Sequence, residues 1–329
     1  MADLHSPERH NQNEPNAFVR SVIDLSPDDI VTSENKQLSI LTFLGKHLRT
    51  LILIVCAGIL AWSVLYILDT LRQYAEAEDL YEGVGGLVMG NNGEAEMMYS
   101  SPQGAPTPDY NASQNLTDED ISDIINTVTV NKEFELVRNK LVSLKKQYPD
   151  LYGWIILDGT PINYPIMQST DNDYYLDHSY TGGKLKAGAI FADYKCDRDL
   201  MRNYNLVLYG HHMTNNTMFH SLDNFLNANF FYTNNTVKIF TLDGMFTYKV
   251  FSAYETNKYY HYIRTHFTTR ESFVNFANEM RDNSIHSVPG LTFGTGDRLL
   301  TLSTCTNRSD DGRLSVHAVM VDYYLAKKS

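Results

Sequence analysis

Cysteine is nearly missing from this sequence, with 3 residues in 329, which excludes a disulfide-stapled module. Proline (10) and glycine (19) are modest and aperiodic, so collagen and low-complexity chains are excluded as well. Positive charge is in deficit, 27 Lys and Arg against 39 Asp and Glu, and no basic run exceeds two residues. A surface that neutralises phosphate is therefore not encoded, and nucleic-acid binding is excluded. What remains is ordinary globular composition, 43% apolar and 20% charged, at a length that allows one or two domains of about 150 residues.

Long apolar runs are just as scarce, and the one present is informative. From Thr50 to Leu68 the chain reads TLILIVCAGILAWSVLYIL without a charge. As a helix rising about 1.5 Å per residue, it is long enough for a hydrocarbon core of about 30 Å. It is apolar on every side and carries Trp62 and Tyr66 near one end, where interfacial aromatics sit, which argues against a buried core helix. It starts too deep in the chain for a signal peptide, and no small-residue cleavage site follows. Lys46, His47 and Arg49 precede it, whereas Asp69, Glu76, Glu78 and Asp79 follow with only Arg72 opposing them. The charge asymmetry predicts a single-pass membrane protein with a cytoplasmic N-terminus and an extracellular domain. Cys196 and Cys305 are then the only external thiols and form no CxxC pair, which suits a cell wall facing the medium better than an oxidative folding compartment.

Four segments follow from composition. Residues 1–49 are polar and mixed in charge and read as a disordered cytoplasmic tail; residues 50–68 read as the transmembrane helix. Residues 69–116 read as a juxtamembrane helix followed by a flexible spacer rich in Gly, Asn, Ser and Pro. Residues 117–329 read as the folded domain. Inside it, Thr117-Asp-Glu-Asp caps a first short helix, and Asn131 precedes a second that stops at Tyr148-Pro149. Eight runs rich in β-branched and aromatic residues follow: GWIIL, INYPIM, GAIFADY, NLVLYG, VKIFTL, FTYKVFSAYE, RLLTLSTC and RLSVHAVMVDYYL. Gly, Asn and Asp turns separate them, which predicts a mainly β, α+β fold whose mixed or antiparallel sheet closes into an eight-stranded barrel. One helix interrupts the strands, opening with a capping box at Thr268-Thr-Arg-Glu271 and carrying Phe273, Phe276, Ala277 and Met280 on one face.

Chemistry is expected where strands end. Cys305 terminates RLLTLSTC and is either a reactive thiol at the barrel rim or a structural cysteine. Cys196, in ADYKCDRD, reads as an ordinary loop thiol of comparable exposure. A nucleophilic thiol needs a base, and His211 and His212 are delivered to the end of NLVLYG much as Cys305 is delivered to the end of its own strand. His178, His220, His261, His266 and His286 fall in polar loops or on helix surfaces, and His317 lies inside the last strand. An acyl-transfer oxyanion calls for a fixed cation. Arg308 and Arg313 follow Cys305; Arg313 is favoured because it opens the last strand, and a salt bridge to Asp310 or Asp311 is the structural alternative for either. A metal site from Cys196, Cys305, His211 and His212 lacks CxxC or HExxH spacing, and no metal or other cofactor is expected.

The stretches DLYGWIILDGTPINYPIMQSTDNDYYL, NLVLYGHHMTNNTMF, YIRTHF and LLTLSTCTNRSDDGRLSVHAVMV resemble those of class B sortases, the membrane-anchored cysteine transpeptidases of Gram-positive bacteria. The resemblance covers roughly residues 130–325 and keeps the motif order YGH, TLSTC, then Arg before the closing strand. It implies a sortase barrel with N-terminal helices and a helix before the cysteine strand. It also implies His211, Cys305 and Arg313 as the catalytic residues, with Asn163, Tyr209 and Ser303 lining the substrate groove. The implied activity cleaves a C-terminal sorting signal of a secreted protein through a Cys305 acyl-enzyme and joins the new end to an amine of peptidoglycan. A pilin-polymerising sortase, a hydrolytic cysteine peptidase and a membrane-tethered scaffold with a relic site are the alternatives. Papain-type and caspase-type arrangements do not match, since His precedes Cys and Arg follows it.

Overall fold

The computed structural model describes residues 27–89, 118–306 and 311–326, and divides the chain into two compact units, Met1–Asp69 and Thr70–Ser329. In the first, helix α1 (Pro27–Met89) begins well inside the segment expected to be a disordered tail. Its start follows from Pro27 at the first helical position and Asp28 and Asp29 in the first turn. Residues 1–26 lie outside the described residues. The expected membrane span falls within α1, and Leu53, Leu60 and Trp62 are 70%, 67% and 74% exposed. Among the described residues this is the one helix long and apolar enough to cross a membrane.

The second unit starts at Thr70, not at residue 117. The last turns of α1 are part of its core, because Ala77, Tyr81 and Val84 recur on one helical face and are all buried. Gly85 lets that helix approach Asn163 closely; a Cβ there would lie 3.3 Å from the side-chain nitrogen of Asn163. Residues up to Met89 are therefore helical where a spacer was expected, and the remainder of that spacer lies outside the described residues. Helix α2 (Asp118–Gln147) is a single element where two were expected. Phe134, Val137 and Leu141 bury its inner face, so the helix continues through the polar Asn131. It stops where Pro149 offers no N–H to continue the ladder.

All eight expected strands form: β1 Leu151–Leu157, β2 Asn163–Met167, β3 Ile190–Ala192, β4 Asn205–Tyr209, β5 Thr236–Phe240, β6 Gly244–Asn257, β7 Leu299–Cys305 and β8 Gly312–Leu325. They close into a barrel in the order β1-β2-β3-β4-β7-β8-β6-β5. The β2–β3 and β4–β7 pairs are parallel and the other pairs antiparallel. Alternation along the strands sorts the side chains. Leu206, Leu208, Leu300, Leu302, Leu314, Val316 and Ala318 join the main core, while Leu299, Val319, Phe251 and Tyr254 pack with helix α4 (Arg270–Asp282). A short helix, α3 (Ala228–Thr233), precedes β5. The capping box of α4 is one residue later than expected: Thr269 is the cap and Ser272, not Glu271, answers it.

Candidate active site at the barrel rim

Parallel pairing of β4 with β7 carries both strands to the same rim. The register runs from Asn205↔Leu299 to Tyr209↔Ser303, and the Gly210 N–H donates to the Ser303 carbonyl at 3.2 Å, so His211 follows on the rung of Cys305. On the other side, β7 and β8 pair Cys305 directly with Arg313. Neighbouring strands lie about 4.8 Å apart, and side chains two residues apart share a face. His211, Cys305 and Arg313 thus occupy adjacent positions at one rim, although 94 residues separate the first two in sequence. Cys305 is exposed, while His211 and Arg313 are half-buried.

The same alternation separates the two histidines. His211 Nε2 sits 2.7 Å from the Leu176 carbonyl. A carbonyl only accepts, so Nε2 carries the proton and the lone pair of the neutral ring is on Nδ1. His212 turns away and bonds Asp223 at 2.8 Å. The segment after β4 is pinned by a bridge between His212 and Met218, by the Phe219 N–H to the His211 carbonyl at 2.9 Å, and by the Met218 N–H to Tyr164 Oη at 3.1 Å. Helix α1 reaches this segment too, through Tyr74 Oη and Thr214 Oγ1 at 3.0 Å.

Asp311, a candidate partner for Arg313, forms its close ion pair with Lys258, which holds the Asp311 carboxyl below the usual carboxylate range. Arg313 Nη1 donates to the Gly312 carbonyl at 2.8 Å, which folds the guanidinium back along its own strand. Arg308 and Asp310 lie outside the described residues. Ser303 is buried and its hydroxyl meets Tyr262 Oη at 2.9 Å. Burial pushes the Tyr262 hydroxyl up, so it stays a neutral hydrogen-bonding group; Arg313 and Cys305 are both close enough to act on it electrostatically. Tyr262 is a site residue that the sequence reading did not single out, although it opens the quoted stretch YIRTHF.

The other expected groove residues are placed differently. Tyr209 is paired with Ser303, but its hydroxyl donates to Asp193 Oδ2 at 2.8 Å and its ring packs on Phe191. Asn163 accepts from Trp154 Nε1 at 2.7 Å and lies against Gly85 of α1, engaged in packing rather than joined to Cys305. Cys196 corrects the expectation of an exposed loop thiol: it is 6% exposed, and burial pushes it up to about 12. Gln168 holds its loop by donating to the carbonyls of Asp193 and Cys196. His317 is fully buried among Thr301, Ser315 and Tyr254. The buried Cys196 thiol faces the Asn205 carbonyl.

With this geometry in place, the comparisons are specific. The family described as "Sortase domain" matches residues 155–321. Sortase B of Listeria monocytogenes is 34% identical over 197 residues, covering 59% of this chain and 78% of that protein. The X-ray structure of Clostridium perfringens sortase B aligns with a TM-score of 0.53 at 34% identity, over 55% of this chain and 99% of that one. The Staphylococcus aureus sortase B–substrate complex gives a TM-score of 0.53 at 30% identity, over 63% and 99% of the two chains.

Proposed function

This chain belongs to the sortase family, as a class B cysteine transpeptidase, and from that premise we propose that Cys305, His211 and Arg313 perform its chemistry. The observation that carries the assignment is the strand register, which sets a strand-end thiol beside one histidine and one arginine on the same face. The Cys305 thiolate attacks a backbone carbonyl carbon of the sorting signal, and the negative charge on the tetrahedral oxygen is met by Arg313. The thiol proton of Cys305 passes to His211 Nδ1, and the C–N bond breaks as His211 gives that proton to the leaving amine, which leaves a thioester on Cys305. An incoming amine then attacks the thioester, loses a proton to His211 and expels the thiolate, so that one amide replaces another and the enzyme is restored.

The substrates are secreted proteins bearing a C-terminal sorting signal, and the acceptor is an amine of peptidoglycan or its precursor. Anchoring by α1 supports this pairing, because enzyme and substrates held at one membrane face meet at high effective concentration. The flanking charges of the span support a cytoplasmic N-terminus and an extracellular barrel. Protease treatment of intact cells tests this orientation: the barrel should be cut away while residues 1–49 stay protected, and the opposite pattern would reverse it.

The activity is tested by incubating the full chain in detergent micelles with a library of sorting-signal peptides and several amine acceptors, with products identified by mass. The reading requires an amide product with at least one acceptor. Carboxylic acid products alone, for every acceptor, would favour the hydrolytic peptidase.

A further inference from the structure

A second cluster of ligand-type side chains lies behind the catalytic rim. His220 and Asp223 belong to the 3₁₀ helix His220–Leu226, in which residues three apart eclipse one another, so both project from the same edge. His212 is brought to that edge by its bridge to Met218. The imidazoles of His212 and His220 stand 4.2 Å apart, and His212 Nε2 lies 2.8 Å from Asp223 Oδ2. One ligand atom from each of the three residues falls within 4.8 Å of the others. The His212 side chain is 3% exposed, whereas Asp223 is 45% exposed and opens the cluster to solvent. His220 Nδ1 is buried without a hydrogen-bond partner. A buried nitrogen in that position is costly unless something binds it.

We propose that His212, His220 and Asp223 form a binding site for a divalent transition-metal cation. Two imidazoles and one carboxylate suit zinc, cobalt or nickel, while calcium and magnesium prefer all-oxygen shells. Three protein ligands leave a position for water on the side that Asp223 opens. The Nε2 that now meets Asp223 Oδ2 is the ring atom of His212 that a cation between the two residues would engage. The cation replaces the His212–Asp223 bond and ties the segment after His211 to the 3₁₀ helix. None of the three residues is needed for the acyl transfer described above, so the two assignments stand or fall separately.

The test uses the full chain in detergent micelles, carrying Cys305→Ser to remove the exposed thiol of the rim as a competing soft ligand. Cobalt(II) is titrated while visible ligand-field absorption is followed. The expected result is one equivalent bound, with the band bleached by zinc and binding weakened at least tenfold by His220→Gln and by Asp223→Asn. Asp223→Asn keeps the size and hydrogen-bonding reach of the side chain, so it separates lost ligation from lost fold. Saturating zinc should also raise the thermal midpoint of the parent and leave that of Asp223→Asn unmoved. A cobalt band that survives both substitutions, or one that depends on His211 instead, overturns the proposal, as does the absence of any band.

Discussion

Gly210 is the hinge of the site, and replacing it with alanine tests the geometry. It sits between the last residue of β4 and His211, and its N–H holds the ladder to Ser303. A Cβ at this position would lie 2.4 Å from Ile190 Cδ1 and 2.8 Å from two ring carbons of Phe219. Both neighbours are fully buried, so neither side chain can swing into solvent. To restore ordinary carbon contacts, the strand end must shift by about 1 Å. Overpacking of this kind costs about 1–3 kcal/mol of stability. A displacement of that size at a catalytic group costs about a hundredfold in rate. Gly210→Ala should therefore remain mostly folded by thermal melting while kcat/KM for peptide-to-amine transfer falls about a hundredfold. Adding Ile190→Val removes the nearest clashing carbon and should recover part of the loss. If Gly210→Ala keeps kcat/KM within about twofold of the parent, or loses activity only in proportion to unfolded protein, the placement of His211 by this close approach is wrong.

Other expectations follow from neighbouring groups. Burial pushes His317 down to about 3, against an ordinary value of about 6.5. The native ring stays neutral while the unfolded chain takes up a proton, so its contribution is intact above about pH 6.5 and is lost as pH falls toward 3. At pH 5 the loss is about 2 kcal/mol, and denaturant unfolding should show His317→Gln with a shallower acid dependence than the parent; equal slopes would contradict the burial argument. Removing the Arg313 guanidinium as Arg313→Ala should lower kcat/KM about a hundredfold or more. Arg313→Lys should restore little of this in steady-state assays, because a point charge lacks the planar fork. Alkylation of the folded chain followed by peptide mapping should modify Cys305 and spare Cys196, whose thiol is buried and pushed up to about 12. Rapid labelling of Cys196 would show that its loop opens readily.

Much of the barrel was legible because its strands are short, β-branched and bounded by turn residues, so each run carries its own signal. The ends of β4 and β7 were legible for the same reason, and with them His211, His212 and Cys305. Residue types alone left His211 and His212 open and only the resemblance pointed to His211, because the rung that each occupies depends on a parallel register between strands far apart in sequence. Cys196 was misread because its local sequence is polar; its burial comes from Gln168 and Asn205, which reach it only through tertiary folding. The glycines of residues 83–86 read as a flexible spacer, yet in the fold Gly85 serves the close packing of α1 against Asn163. The capping box slipped by one residue because two threonines stand side by side and serine can answer the cap as glutamate does. Tyr262 gave no periodic signal, and the His212, His220 and Asp223 cluster depends on a 3₁₀ turn and a bridge that composition does not announce.

Intact-mass measurement during turnover tests the assignment of the nucleophile most directly. The full chain is mixed with a processed sorting-signal peptide without any amine acceptor, quenched in acid, and mapped by proteolysis. A thioester adduct equal to the N-terminal fragment of the peptide should appear on Cys305, vanish in Cys305→Ala, and discharge as an amide when an amine is added. An adduct on another residue, or continued cleavage by Cys305→Ala, would contradict the account.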